Sequence, residues 1–243
     1  MKILLLGDNG IDQYQFGTVT RISPEAPVPI LNYTHTVTKP GMAANVEDNL
    51  LKLGVEVEFV HGVKTCIKTR VIDSKTGQHL VRLDQDIPSK AVKIDYTNIN
   101  KYNAIIVSDY NKGSIEYETI EALRKNYSGP IFVDTKKSDL ARFEGCFVKI
   151  NQVEFDAAKT YPTDLVVTLG RDGVRYKEHK FSTPQVEAFD VCGAGDTFLS
   201  ALAYNYVLSS DILAAIKFAT RAASVTIQHI GVYSPSLAEI EQI

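Results

Sequence analysis

The segment Asp190-Val191-Cys192-Gly193-Ala194-Gly195-Asp196-Thr197-Phe198 carries the clearest chemical signal in the chain. Gly193, Ala194 and Gly195 are small enough to let backbone come close to a ligand. The apolar run Leu199 to Leu208 behind them predicts a helix whose N-terminal amides face that ligand. Such a turn cradles phosphate. Asp196 does not belong in a simple phosphate cradle, because its charge opposes the anion, so a separate task is indicated: orienting a hydroxyl or taking its proton. The alternative is an aspartate that only caps the helix.

The rest of the chain must position this group. Its 243 residues suit one domain spanning 1–243, and a 44% hydrophobic, 23% charged composition is that of a globular protein with a full core. Charges nearly cancel at −3, which excludes general attraction to nucleic acid or an anionic membrane. Any anion must therefore be met locally. Cys66, Cys146 and Cys192 fit neither a disulfide framework nor a zinc pattern, and a reducing compartment follows. Ile3-Leu4-Leu5-Leu6 is too short for a signal peptide core, and no run reaches the roughly 18 apolar residues of a membrane span. These readings place the protein in the cytoplasm.

Short apolar runs at Lys2–Leu6, 104–107, 131–133, 147–150 and 165–169 read as buried strands, the first closed by a Gly7-Asp8-Asn9-Gly10 turn. Helical patterns alternate with them at 43–53, 115–125, 155–159, 195–208 and 212–227. This alternation predicts an α/β fold with a mostly parallel central sheet and helices on both faces, whose ligands gather beyond the carboxyl ends of the strands. Residues 28–34 and 66–84, the latter with a hairpin turn at Ser74–Gln78, break the alternation and predict a small separate β-sheet, a lid over the site.

DVCGAGDTF resembles the C-terminal signature of the PfkB carbohydrate kinases, which have the ribokinase-like fold. Three more segments follow the family in order: Pro40-Gly41-Met42-Ala43-Ala44-Asn45-Val46, Asn151-Gln152-Val153-Glu154 and Val167-Thr168-Leu169-Gly170-Arg171-Asp172-Gly173. The resemblance implies ATP-dependent phosphoryl transfer to a sugar hydroxyl. Asp196 would be the base, and the amides of Gly193, Ala194, Gly195 and Asp196 the anion hole. A carboxylate at a helix N-terminus should have its anion favoured, so positioning is expected to exceed basicity. Asn151 and Glu154 would hold Mg²⁺, unless they merely start a helix. Asn151, Thr168, Gly170 and Gly173 would line the ATP site. K⁺ is a further candidate cation.

On the acceptor side the resemblance assigns Asp8, Asp12, Gly41 and Asn45 to the sugar, with Asp8 and Asp12 otherwise turn formers. Lys112 and Lys136 follow strand ends and rank first as partners for anionic groups; Lys68, Arg70 and Arg82 in the hairpin rank below them. Segments 7–14, 21–29 and 108–113, with Asp134-Thr135-Lys136, are similar to family members that phosphorylate a heptose 7-phosphate at O1. In many bacteria that kinase is fused to a cytidylyltransferase, absent here, which implies a stand-alone unit. A homodimer through the lid is also implied.

The sequence departs from the family in three places. Val60-His61-Gly62-Val63-Lys64 runs directly into the hairpin where relatives carry a further turn, helix and strand. Met42 replaces a glycine, and Thr220 and Arg221 replace small residues or Asn beside the nucleotide. Competing readings are a family kinase for an unphosphorylated sugar or a nucleoside, and a catalytically impaired nucleotide- or sugar-binding relative.

Overall fold

A computed structural model describes residues 1–243. Its centre is a ten-stranded sheet. β1 (Lys2–Ile22), β3 (Glu56–Asp73), β5 (Ala104–Asp109), β6 (Ile131–Thr135), β7 (Phe147–Asn151) and β8 (Leu165–Thr168) run parallel. β2 (Pro29–Met42), β4 (His79–Gln85), β9 (Val174–Tyr176) and β10 (His179–Phe181) add antiparallel edges. The spatial order is β10-β9-β8-β7-β6-β5-β1-β3-β4, with β2 on the other side of β1.

The period of two along a strand sorts side chains onto two faces. Ile3 and Leu5 of β1 and Ala104 and Ile106 of β5 enter one core. Val46 and Leu50 of α1 (Ala43–Lys52), Leu199 and Leu202 of α4 (Ala194–Ser209), and Ala215 and Ala219 of α5 (Ile212–Thr226) close it. Leu4, Leu6, Ile105 and Val107 enter the opposite core, with Ile120 and Leu123 of α2 (Tyr117–Asn126). The expected fold class, with helices on both faces, is the one observed. No helix is long and apolar enough to cross a membrane.

The largest departure from the sequence reading is in β1. Gly7-Asp8-Asn9-Gly10 does not end the strand, which continues to Ile22 as the axis of the lid, flanked by β2 and the distal half of β3. The lid is therefore an extension of the main sheet and not a separate one. Glycine here serves close approach: a Cβ on Gly7 would stand 2.4 Å from the Ser108 carbonyl oxygen. The Ser74–Gln78 turn forms as expected, with Thr76 donating to Asp73.

The shortened segment is closed by a bulge. The pairing of β1 with β3 jumps from Gly7–His61 to Asn9–Thr65, so Gly62, Val63 and Lys64 loop out. Smaller differences lie at helix starts. Glu116 caps α2 at Tyr117, and Asn151 caps α3 (Gln152–Ala157) ahead of the expected Phe155.

Met42 caps α1 at φ 55°, ψ −132°, a backbone region close to glycine-only, and its side chain is 2% exposed. The strained dihedral costs of order 1–3 kcal/mol. In an ordinary helix or strand glycine is the less stable choice by roughly 0.5–1 kcal/mol. We expect the reverse here: Met42→Ala loses packing and keeps strain, whereas Met42→Gly loses packing and relieves it. Urea unfolding should find the glycine variant more stable than the alanine variant by about 1 kcal/mol. The opposite order would show the dihedral to be unstrained.

Candidate active site

The loop after Asp190 turns into α4 at Gly193, whose φ of 79° favours glycine. Space also requires it, since a Cβ there would stand 2.9 Å from Asn45 Nδ2, and one on Gly195 would stand 2.9 Å from Lys149 Nζ. The N–H groups of Gly195 and Asp196 take no backbone acceptor, as the first turn of a helix leaves them. An ammonium group thus lies against the same turn that presents free amides. That combination suits a multiply charged anion.

Asp196 is 7% exposed. Asn45 Nδ2 donates to its Oδ2 at 2.9 Å, and the Tyr110 hydroxyl donates to Oδ1 at 2.9 Å. Its pKa is pushed up to about 6: burial raises it most and the nearby Asp134 adds to the rise, while Asn45, Tyr110 and Lys149 oppose it. The expectation of a weak base is corrected: desolvation outweighs the helix dipole. Behind it, Lys149 and Asp134 form a buried ion pair at 2.6 Å. Lys149 was not singled out from sequence, although a lysine inside the apolar run Phe147–Ile150 is a signal, since lone lysines are seldom buried without a partner.

Asp12 faces the site in a buried ion pair with Arg70 of the lid. Arg70 also donates to Cys192 Sγ at 3.1 Å and lies over the Tyr14 ring. The lid is therefore tied to the loop that turns into α4. A Cβ on Gly41 would stand 2.6 Å from Asp12 Oδ2, so glycine leaves room for the carboxylate. Burial pushes the Cys192 thiol up despite Arg70.

Other candidates are placed differently. Asp8 is buried and accepts from the backbone N–H groups of Tyr110, Lys112 and Ser114, so it organises the loop after β5 rather than a turn of its own. Asn45 spends its amide on Asp196. Lys112 pairs with Asp86 at 2.5 Å, away from Asp196 and its partners, and Arg82 pairs with Asp84 on its own strand. Lys136 pairs with Glu154 and lies 5.4 Å from the Tyr110 ring centroid. Lys68 lies 4.8 Å from the same ring with no carboxylate partner. Each group is thus split: Lys136 of the strand ends and Lys68 and Arg70 of the hairpin lie by the site, while Lys112 and Arg82 pair elsewhere. Lys68 and Arg70 meet the site and Lys112 does not, because alternation along the bulged β3 turns both inward.

Asn151 and Glu154 form a capping box: Asn151 Oδ1 accepts from Glu154 N–H at 2.9 Å, and Glu154 Oε2 accepts from Asn151 N–H at 2.8 Å. They do start a helix. Glu154 Oε1, held only by Lys136, is the oxygen left for a cation. Thr168 ends β8 and donates to the Ile150 carbonyl. Gly170 (φ 59°) and Gly173 (φ 92°) frame the turn into β9, and a Cβ on Gly173 would collide with the Phe181 carbonyl oxygen. Beyond it, a cavity of about 490 Å³ lies between β10 and α5, lined by Lys180, Lys217, Thr220 and Arg221.

A mostly parallel sheet with a lid of mixed strand direction, meeting at a carboxylate on the first turn of α4, defines a ribokinase-like protein. Ribokinase from Thermotoga maritima superposes with a TM-score of 0.74 at 19% identity, covering 99% of this chain and 98% of that one. Phosphofructokinase-2 from Escherichia coli in complex with potassium gives 0.75 at 18% identity, covering 99% and 97%. Residues 147–239 match the model of the pfkB family carbohydrate kinases, and the chain belongs to that family. The "Bifunctional protein HldE" of Nitratiruptor sp. is 30% identical over 300 aligned positions, covering 99% of this chain. The chain spans 64% of that relative's length. Because 300 positions exceed 243 residues, the relative carries additional residues within the matched region.

The raised pKa has a consequence for stability. The folded state binds a proton at Asp196 more tightly than the unfolded chain, so ionisation of this group weakens the fold as pH rises from about 4 through 6. Asp196→Asn keeps the shape and removes that cost. Thermal unfolding should show the variant more stable than the parent at pH 8, by up to about 3 kcal/mol, with the advantage gone below pH 4. A variant less stable at every pH would make Asp196 a helix cap.

Proposed function

We propose that this protein transfers the γ-phosphoryl group of ATP to a hydroxyl of a sugar phosphate, with O1 of a heptose 7-phosphate as the preferred acceptor. The observation that carries the reading is Asp196, a buried carboxylate with a pKa near 6, on the helix turn that presents free amides and the Lys149 ammonium. A base with that pKa is ionised at neutral pH and basic enough to take a proton as the oxygen attacks. The free amides of Gly195 and Asp196, with Lys149, receive the charge on the transferring group, while the Ala194 N–H is spent on the Val191 carbonyl. Asn45 fixes the carboxylate. Lys68 and Lys136 supply cations on the acceptor side, which favours a phosphorylated sugar over a neutral one or a nucleoside. The relatives named HldE support a heptose acceptor.

Asn151 and Glu154 fit Mg²⁺, which binds through one or two carboxylates, substrate phosphates and water. When bound, it supplies charge neutralisation at the phosphates. Glu154 would hold it through Oε1, the oxygen that Lys136 occupies here. The cavity beside β10 and α5 is proposed for the adenosine, reached past Thr168, Gly170 and Gly173. K⁺ is carried as a candidate activator. The lid leaves Ile22, Val28, Tyr33, Val81 and Leu83 exposed, which supports a homodimer through this face. We assign the whole chain to one kinase domain working in the cytoplasm.

The test is ADP release with ATP and Mg²⁺ against heptose 7-phosphate, the unphosphorylated heptose, fructose 6-phosphate, ribose and adenosine. Heptose 7-phosphate should give the highest kcat/KM, and Asp196→Asn should lower it at least 100-fold. A variant keeping more than about a tenth of kcat, or a panel with no active acceptor, would contradict the reading.

Glu154→Gln should raise the Mg²⁺ concentration for half-maximal activity several-fold while leaving the fold intact, because the amide keeps the capping geometry and removes the charge. An unchanged Mg²⁺ titration would confine Glu154 to the helix cap.

A further inference from the structure

Tyr110 is the one side chain other than Asn45 that touches the carboxylate oxygens of Asp196; it lies in the 108–113 segment quoted above, for which the resemblance gives the phenol no role. We propose that Tyr110 is a resident plug: its hydroxyl stands where the acceptor hydroxyl must bind, and an anionic acceptor releases it by drawing Lys68 away from its ring. The inference rests on the kinase reading of the site and deepens it by assigning the selection of phosphorylated acceptors to a named device.

Three features carry it. First, the Tyr110 hydroxyl donates to Asp196 Oδ1, the oxygen that Asn45 leaves free, so an acceptor hydroxyl and the phenol compete for one position. Second, the backbone of the loop is pinned while the side chain is not. Asp8 accepts from the N–H groups of residues 110, 112 and 114, so the ring can rotate away about its own side-chain bonds without unfolding the loop. Third, the ring is held by charge. Lys68 Nζ, which has no carboxylate partner, lies 4.8 Å from its centroid, whereas Lys136 Nζ, at 5.4 Å, is already paired with Glu154. Ammonium groups prefer a phosphate to an aromatic face, because a full anion outweighs a ring quadrupole. A sugar phosphate therefore weakens what holds the plug and offers Asp196 a replacement donor. A neutral sugar does only the second.

In the resting protein the plug also keeps water from Asp196, limiting transfer of the γ-phosphoryl group to water. The groups facing Asp196 are Asn45 from α1, Tyr110 from the loop after β5, Asp134 from β6 and Lys149 from β7, with Lys136 beyond the end of β6. Of the neutral pair, only Tyr110 can leave.

The test places 3-fluorotyrosine at position 110 of the full chain and follows its ¹⁹F resonance. Without sugar the resonance should titrate with a midpoint near pH 6, following its acceptor Asp196. At pH 7.5 and without ATP, heptose 7-phosphate should shift it to a solvent-exposed value, whereas the unphosphorylated heptose at the same concentration should not. The kinetic arm uses Tyr110→Phe. Its sugar-free ADP release should rise several-fold relative to the sugar-dependent rate. Its KM for the unphosphorylated heptose should fall toward that for heptose 7-phosphate, and the acidic limb of kcat/KM should move up by roughly half to one pH unit. A resonance that ignores pH near 6 refutes the contact whatever the acceptor proves to be. A resonance that titrates but responds equally to both sugars, or a Phe variant with unchanged hydrolysis ratio and acidic limb, refutes release by the anionic acceptor. If the resonance titrates and no sugar on the panel supports ADP release, the kinase reading fails and the contact stands.

Discussion

The structure is organised around the cost of burying one carboxylate. Asp196 sits where water is nearly excluded, and each surrounding element contributes something that makes its charge tolerable: Asn45 from α1, Tyr110 from the loop after β5, Lys149 from β7 and the free amides of α4 itself. These elements are far apart in sequence. The parallel sheet brings them together because the carboxyl ends of β5, β6 and β7 lie side by side opposite the start of α4.

The same electrostatics reach into the lid. Arg70 joins Asp12 on β1 to Cys192 in the catalytic loop, and β1 itself passes from the core sheet into the lid without a break. The lid is therefore tied through Arg70 to the loop that leads into α4. The shortened stretch before the hairpin does not break this connection. Residues 62–64 bulge out, and β3 regains its register with β1 two residues beyond Gly7. The bulge is anchored at Gly62, where a Cβ would stand 2.0 Å from Ser89 Oγ, while Val63 and Lys64 project into solvent.

The sequence showed much of this framework and little of its wiring. Apolar runs such as Ile3–Leu6 and Ala104–Val107 read as buried strands because both faces of a parallel sheet are covered, and DVCGAGDTF marked the catalytic turn through its small residues. Gly7–Gly10 misled because glycine and aspartate usually signal a turn. Here glycine admits a neighbouring backbone and Asp8 holds a loop a hundred residues away. Ion-pair partners were illegible for a related reason: Lys112 and Lys136 look alike at strand ends, and only three-dimensional placement sends one to Asp86 and the other toward the site. The basicity of Asp196 was misjudged because a helix N-terminus can be read from sequence, whereas desolvation depends on every element packed around it.

The most direct test of this account is the ionisation of Asp196 itself, followed by ¹³C NMR of the parent protein labelled at aspartate carboxyl carbons, with Asp196→Asn identifying the resonance. The account predicts a midpoint near pH 6, about two units above an ordinary aspartate. A midpoint at or below pH 4 would mean that the helix amides and Lys149 dominate over burial, and the carboxylate would be an anchor rather than a base.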